Sequence, residues 1–240
     1  MKFKNEKLVK LLKLIEEISN QQDFKWFKDE LTNMLNVTML TREDDSLSVE
    51  PFLRLQRKIF RTKGLEFYKN VAEDNLRIQL TKDFQEMLWY KVLNQVDRQY
   101  LFTYYQIENM INFFITKNLA HEKIRNNSNN YVIEFSEKFI VTSYNYFFSK
   151  NGDPIDVTKI SSIYAKIAFW AIETNNKSWI LDKSRKFHLD NVVQIRNLKG
   201  HRNSQGDNPF VLANIEKIKK GDDSNYGFLI AILSRIKSTL

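Results

Sequence analysis

Arg196, Asn197 and His201 place a permanent cation, a small amide and a proton-transfer group within a segment of six residues. A guanidinium stays charged at any working pH and can bind two phosphate oxygens at once, whereas an imidazole gains or loses a proton near neutrality. Reactions of phosphodiesters need both proton transfer and stabilisation of negative charge. We therefore take these three residues as the candidate catalytic set.

A basic stretch surrounds this set. Between residues 183 and 202 the chain carries one acidic residue, Asp190, and six cations: Lys183, Arg185, Lys186, Arg196, Lys199 and Arg202. The net charge of +8 favours a polyanionic partner. We interpret Lys183, Arg185, Lys186, Lys199 and Arg202 as residues that bind a nucleic-acid backbone. The alternative is that they form only the solvated face of a helix.

The same residues must be positioned by a helix. Leu189, Val192 and Val193 have helical spacing, and Gly200 predicts that the helix ends there. On an ideal helix, side chains five residues apart point about 140° away from each other. Arg196 and His201 can therefore share a site only if the helix bends or ends between them, which Gly200 allows.

Composition indicates an all-α bundle of about eight to ten helices. The 240 residues are 42% hydrophobic and include only six glycines and three prolines, too few for a fold built on many tight turns. Without cysteine and with three scattered histidines, we expect no metal and no cofactor. No apolar stretch reaches the length of a membrane span, so we expect a cytoplasmic protein without membrane contact.

Apolar periodicity predicts where the helices lie. They are expected at 8–18, 23–36, 51–71, 76–99, 107–115, 131–148, 158–174, 189–197, 210–220 and 229–236. The aromatic segment 100–105 is interpreted as a crowded helix junction, with stacking on bases as the alternative. The asparagine-rich loop 126–130 divides an N-terminal helical region, 1–125, from a C-terminal region, 126–240, unless the whole chain forms one continuous domain.

The segment from Ile195 to His201 resembles the signature of the HEPN superfamily, a group of helical-bundle proteins. That signature is an Arg, a polar residue that is often Asn, Asp or His, several further residues, and a His; here Arg196, Asn197 and His201 match it. HEPN ribonucleases pair two such motifs across a dimer interface and cleave RNA without metal. Many act as toxins, as abortive-infection proteins or as effectors linked to CRISPR systems. The resemblance covers at most the C-terminal half of the chain.

The resemblance implies a metal-independent endoribonuclease in which the 2′-OH of the RNA attacks the adjacent phosphorus. His201 would transfer a proton, Arg196 would stabilise the phosphoryl charge, and Asn197 would orient His201 or a phosphate. We expect RNA as substrate, with tRNA among the candidates, a homodimer with twofold symmetry, and a regulatory protein partner. Two alternatives stay open: a helical module that binds RNA or protein without cleaving it, and a scaffold that only packs against a partner.

Overall fold

The computed structural model describes residues 50–137, 139–200 and 209–240, so the helices expected at 8–18 and 23–36 lie outside the described residues. The chain forms two compact units, Met1–Ile59 and Phe60–Leu240. Only residues 50–59 of the first unit are described. The second unit carries every site discussed below.

The described residues fold as an all-α protein, as predicted, with one small antiparallel hairpin. Two short 3-10 turns, Ser128–Asn130 and Val157–Lys159, complete the regular structure. The helices and strands are, in chain order, α1 (Glu50–Tyr68), α2 (Asp74–Val92), α3 (Val96–Lys117), α4 (Ala120–Asn126), β1 (Val132–Ser136), β2 (Phe139–Thr142), α5 (Tyr144–Phe147), α6 (Ile163–Glu173), α7 (Lys177–Ile180), α8 (Lys183–Gly200) and α9 (Pro209–Lys237).

Helix α3 is the centre of the Phe60–Leu240 unit. It packs against α2, α6, α8 and α9, and its buried side chains recur every three to four residues, as Ile107, Met110, Ile111 and Phe114 illustrate. Because α3 precedes residue 125 and three of its partners follow it, the packing crosses the division expected from the sequence. The division of the chain at residues 125 and 126 stays a prediction.

The helix predicted over 131–148 is wrong, because β1 and β2 form an antiparallel hairpin there. In β1, the buried residues Ile133 and Phe135 alternate with exposed residues, which is the two-residue period of a strand with one face on the core. Val141 of β2 is also fully buried and pairs with Ile133. Only the four-residue helix α5 lies in the remainder of the predicted helix.

Three other predicted boundaries also differ. The predicted helix 76–99 is two helices, because Asn94 has a positive φ of 53° between α2 and α3. Segment 100–105 lies inside α3 and is therefore not a junction. The two helices predicted after residue 209 are the single helix α9, whose glycines 221 and 227 do not end it. Ile218, Leu229, Ile232 and Ile236 keep one helical face buried across both glycines.

Residues near position 240 are anchored to three other parts of the unit. The indole Nε1 of Trp170 donates to Thr239 Oγ1 at 2.9 Å, and Lys237 Nζ donates to the carbonyl oxygen of Phe67 at 2.7 Å. Lys117 Nζ donates to the carbonyl oxygen of Leu240. The end of α9 is thereby fixed against α6, α1 and α3. Among the described residues, no helix combines the length and apolarity that crossing a membrane requires.

Candidate functional site

Arg196 lies near the C-terminal end of α8, half-buried against α3. Its Nη1 donates to Asn197 Oδ1 at 3.2 Å, and its guanidinium carbon lies 5.2 Å from the centre of the Tyr104 ring. That distance is within the range of a cation–π interaction. Two members of the predicted catalytic set, Arg196 and Asn197, are therefore in contact. The third, His201, lies outside the described residues.

Tyr104 connects Arg196 to a charge pair between a buried lysine and a partly exposed glutamate. Its hydroxyl donates to Glu108 Oε1 at 3.1 Å, one turn further along α3. The same carboxylate oxygen lies 3.7 Å from Nζ of Lys166, which α6 contributes. We call Tyr104, Glu108 and Lys166 the inner cluster. Together with Arg196 it brings two cations, one carboxylate and one phenol from three helices to one place.

Lys166 is the most unusual member of the inner cluster. Only 1% of its side chain is exposed, and Nζ has no hydrogen-bond partner among the described residues. Burial lowers the pKa of Lys166, because desolvation penalises the charged form; the charge of Arg196 lowers it further, and Glu108 opposes both. Burial likewise raises the pKa of Tyr104, so its hydroxyl stays a donor to Glu108.

Arg196 takes part in none of the ion pairs among the side chains that the structure describes. Glu108 is already engaged by Tyr104 and Lys166. The guanidinium is thus held by a ring face and an amide oxygen, and neither partner neutralises its charge. A half-buried cation in this setting can attract a phosphate oxygen, because its interactions are less screened than those of a surface arginine.

Three of the predicted RNA-binding cations lie far from Arg196. Lys183, Arg185 and Lys186 lie in the first turn of α8, about 15–20 Å along the helix axis from Arg196. Arg185 Nη1 lies 3.8 Å from Asp182 Oδ1, and Lys186 Nζ donates to Asp190 Oδ2 at 3.3 Å. Lys183 is exposed. Lys199 belongs to the helical backbone of α8, and Arg202 lies outside the described residues.

The two described histidines occupy packed positions. His188 is buried, its Nδ1 lies 2.8 Å from the Tyr100 hydroxyl oxygen, and burial lowers its pKa to about 4. His121 Nε2 lies 2.8 Å from the carbonyl oxygen of Ile155. Neither is among the contacts of Arg196. Within ranges 50–137, 139–200 and 209–240, no group of three His, Asp or Glu residues is arranged to hold a metal ion.

Sequence reasoning missed Tyr104, Glu108 and Lys166. The sequence nevertheless contained a signal for these residues. Lys166 interrupts the otherwise apolar segment of α6, and Tyr104 and Glu108 are four residues apart, the spacing of helical neighbours.

Comparison of the chain with protein-family models, with curated proteins and with solved structures finds no match. The site is therefore interpreted from its own chemistry.

Proposed function

We propose that this protein is a metal-independent endoribonuclease of the HEPN type. The observation that carries the proposal is the state of Arg196: the residue is half-buried, and its guanidinium is oriented by Tyr104 and Asn197 and has no carboxylate partner among the described side chains. Neither the ring of Tyr104 nor the amide oxygen of Asn197 neutralises the guanidinium charge, so that charge can act on a phosphate oxygen. The proposed role is antiviral defence or the toxic component of a toxin system.

In the proposed reaction the 2′-OH of the RNA attacks the adjacent phosphorus and the 5′-oxygen leaves. The products are a 2′,3′-cyclic phosphate and a 5′-hydroxyl. His201 transfers one of the two protons, and Arg196 stabilises the negative charge that grows on the phosphoryl oxygens. Asn197 already accepts a hydrogen bond from Arg196, so its amide oxygen can hold the guanidinium while its NH₂ group remains available to a phosphate.

A complete site in this proposal needs a second copy of the chain. The motif occurs once, so a twofold dimer would place two Arg196–His201 pairs in one cleft. RNA is the proposed substrate because only RNA has the attacking hydroxyl. The cations at the start of α8 would bind the same strand at a distance from the cleavage position.

The test is incubation of the purified protein with total tRNA and with a structured single-stranded RNA, in the presence of a chelator, followed by mapping of product ends. Arg196→Ala and His201→Ala should each lower cleavage about 100-fold or more. Arg98→Ala is the matched control, because Arg98 lies over the Tyr90 ring at 5.1 Å, the same kind of contact that Arg196 makes with Tyr104. It should cleave like the wild type.

The second candidate is a module that binds RNA or protein without cleaving it. It is favoured by the described surroundings of Arg196, which supply one further cation, Lys166, and the Tyr104 phenol but no histidine. Intact RNA that stays bound would favour this candidate and reject the ribonuclease. Cleavage that survives both Arg196→Ala and His201→Ala would show that these residues do not form the catalytic site.

A further inference from the structure

The buried Lys166 needs an explanation, because burial penalises its charge and the charge of Arg196 repels it. Lys166 Nζ is almost completely buried and has no hydrogen-bond partner among the described residues. Such an ammonium is costly unless something compensates it. Its one described ion-pair partner is Glu108, at 3.7 Å.

Glu108 is also connected to Arg196, because the two residues share a contact with Tyr104. Tyr104 contacts both groups, since its ring lies under the guanidinium and its hydroxyl donates to Glu108 Oε1. A guanidinium and a carboxylate form strong paired hydrogen bonds wherever both can reach. A pair between Glu108 and Arg196 would neutralise the charge that a phosphate needs.

We propose that Lys166 is a positioning residue that holds Glu108 away from Arg196 and so keeps the guanidinium available to a phosphate group of RNA. Lys166 Nζ lies 3.7 Å from Glu108 Oε1, and the Tyr104 hydroxyl donates to the same oxygen. When Lys166 is absent, Arg196 is the remaining cation at this cluster, and Glu108 turns to it. This inference rests on the proposed function for its ligand, but the pairing that it describes belongs to the protein alone.

The test compares Lys166→Met with Lys166→Met/Glu108→Gln, in the full-length protein. The probe is a short fluorescein-labelled RNA with 2′-O-methyl groups throughout, which cannot undergo attack by the 2′-OH. Lys166→Met should weaken binding about tenfold, because Glu108 then competes with phosphate for Arg196. The double variant should bind within about threefold of the wild type, because the competing carboxylate is gone.

This rescue separates positioning from two other roles of Lys166. If Lys166 contacted phosphate itself, the double variant would bind as weakly as Lys166→Met, and the proposal would be wrong. The same result is expected if Lys166 only supports the fold. Lys123→Met is the matched control: Lys123 pairs with Glu173, which also accepts a hydrogen bond from a tyrosine, and Arg196 is not among its contacts. It should leave RNA binding unchanged.

A second measurement does not depend on RNA. The side-chain Nε–H resonance of Arg196, assigned with Arg196→Ala, reports whether a carboxylate binds the guanidinium. It should shift in Lys166→Met and return towards the wild-type position in the double variant. This result would support the pairing even if no RNA were bound or cleaved, in which case only the ribonuclease proposal fails. An unchanged resonance in folded Lys166→Met would overturn the inference.

Discussion

Two clusters in the described part of the chain combine a tyrosine, a glutamate and a lysine, in two different electrostatic settings. In the inner cluster, Lys166 is buried, stays 3.7 Å from Glu108 and makes no described hydrogen bond. In the second set, which we call the outer cluster, Lys123 donates directly to Glu173, and Tyr131 donates to the other oxygen of that carboxylate at 2.7 Å. Lys123 is 42% exposed.

The burial and hydrogen bonding of the two lysines indicate which cluster stabilises the fold. In the outer cluster each polar group is satisfied, and water can solvate the lysine, which is the ordinary form of a structural ion pair. In the inner cluster a fully buried ammonium is left under-satisfied beside a second cation, Arg196. Ionisable groups with perturbed pKa values are concentrated at functional sites. The contrast therefore supports the proposal that the inner cluster has a functional role, whereas the outer cluster has the form of a structural ion pair.

The largest contrast is expected on removing each carboxylate. Glu108→Gln leaves Lys166 buried without its counter-charge and should lower the free energy of unfolding by about 3 kcal/mol. Glu173→Gln should cost only about 1 kcal/mol, because Lys123 can turn to water. Urea denaturation of both variants measures the difference. Equal losses would show that the two clusters do not differ in the way described here.

A smaller contrast is expected at the two tyrosines. Tyr104→Leu removes the ring that lies under Arg196 and should weaken binding of the 2′-O-methyl RNA about fivefold, equivalent to about 1 kcal/mol. Tyr104→Phe keeps the ring and should retain most of that binding. Tyr131→Leu in the outer cluster should not change it. If Tyr131→Leu weakened binding as much as Tyr104→Leu, the effect could not be assigned to the contact between the Tyr104 ring and Arg196.

A smaller effect is expected in the pH dependence of stability, which should report the burial of Lys166. The pKa of Lys166 is lowered in the folded protein, chiefly by burial, whereas the unfolded chain keeps a lysine pKa of about 10.4. As pH rises towards that value, the folded state loses its proton first, so the burial penalty is relieved and stability rises. The wild type should therefore gain stability relative to Lys166→Met between neutral pH and about pH 10.

This comparison is measured by urea denaturation of both proteins across the pH range, so that titrations common to the two cancel. A difference that stayed constant with pH would contradict the lowered pKa of Lys166. If the stability of the wild type relative to Lys166→Met fell as pH rose, the folded state would stabilise the ammonium form of Lys166.

The smallest effect is expected for Lys123→Met. An exposed ion pair contributes about 0.5 kcal/mol, so its removal should shift the urea midpoint only slightly. A loss as large as that of Glu108→Gln would show that the outer pair is a major element of stability.

The helices were predictable where one face is continuously apolar. Ile107, Met110, Ile111 and Phe114 repeat at helical spacing and are all buried on α3. The hairpin was missed because β1 has only five residues. The alternation of Ile133 and Phe135 with exposed residues is too short to be distinguished from the apolar spacing of a helix.

The candidate site was predictable only in part, for a different reason. Arg196 and Asn197 are neighbours in sequence, so a local motif reveals both. Lys166 is 58 residues from Glu108 along the chain, and their meeting depends on how α6 packs against α3. No local pattern encodes that contact. A lysine inside an apolar helix indicates that a partner exists but does not identify it.

The anchoring of residues 237–240 has a consequence for synthesis of the chain. Lys117 contacts Leu240 across 123 positions, and Trp170 contacts Thr239 across 69. At about 5–20 residues per second, roughly 6–25 s separate translation of the two ends of the first contact. During that time the apolar surface of α3 that α9 later covers stays exposed on the nascent chain. A ribosome that stalls before α9 would therefore release a fragment prone to aggregation and dependent on chaperones.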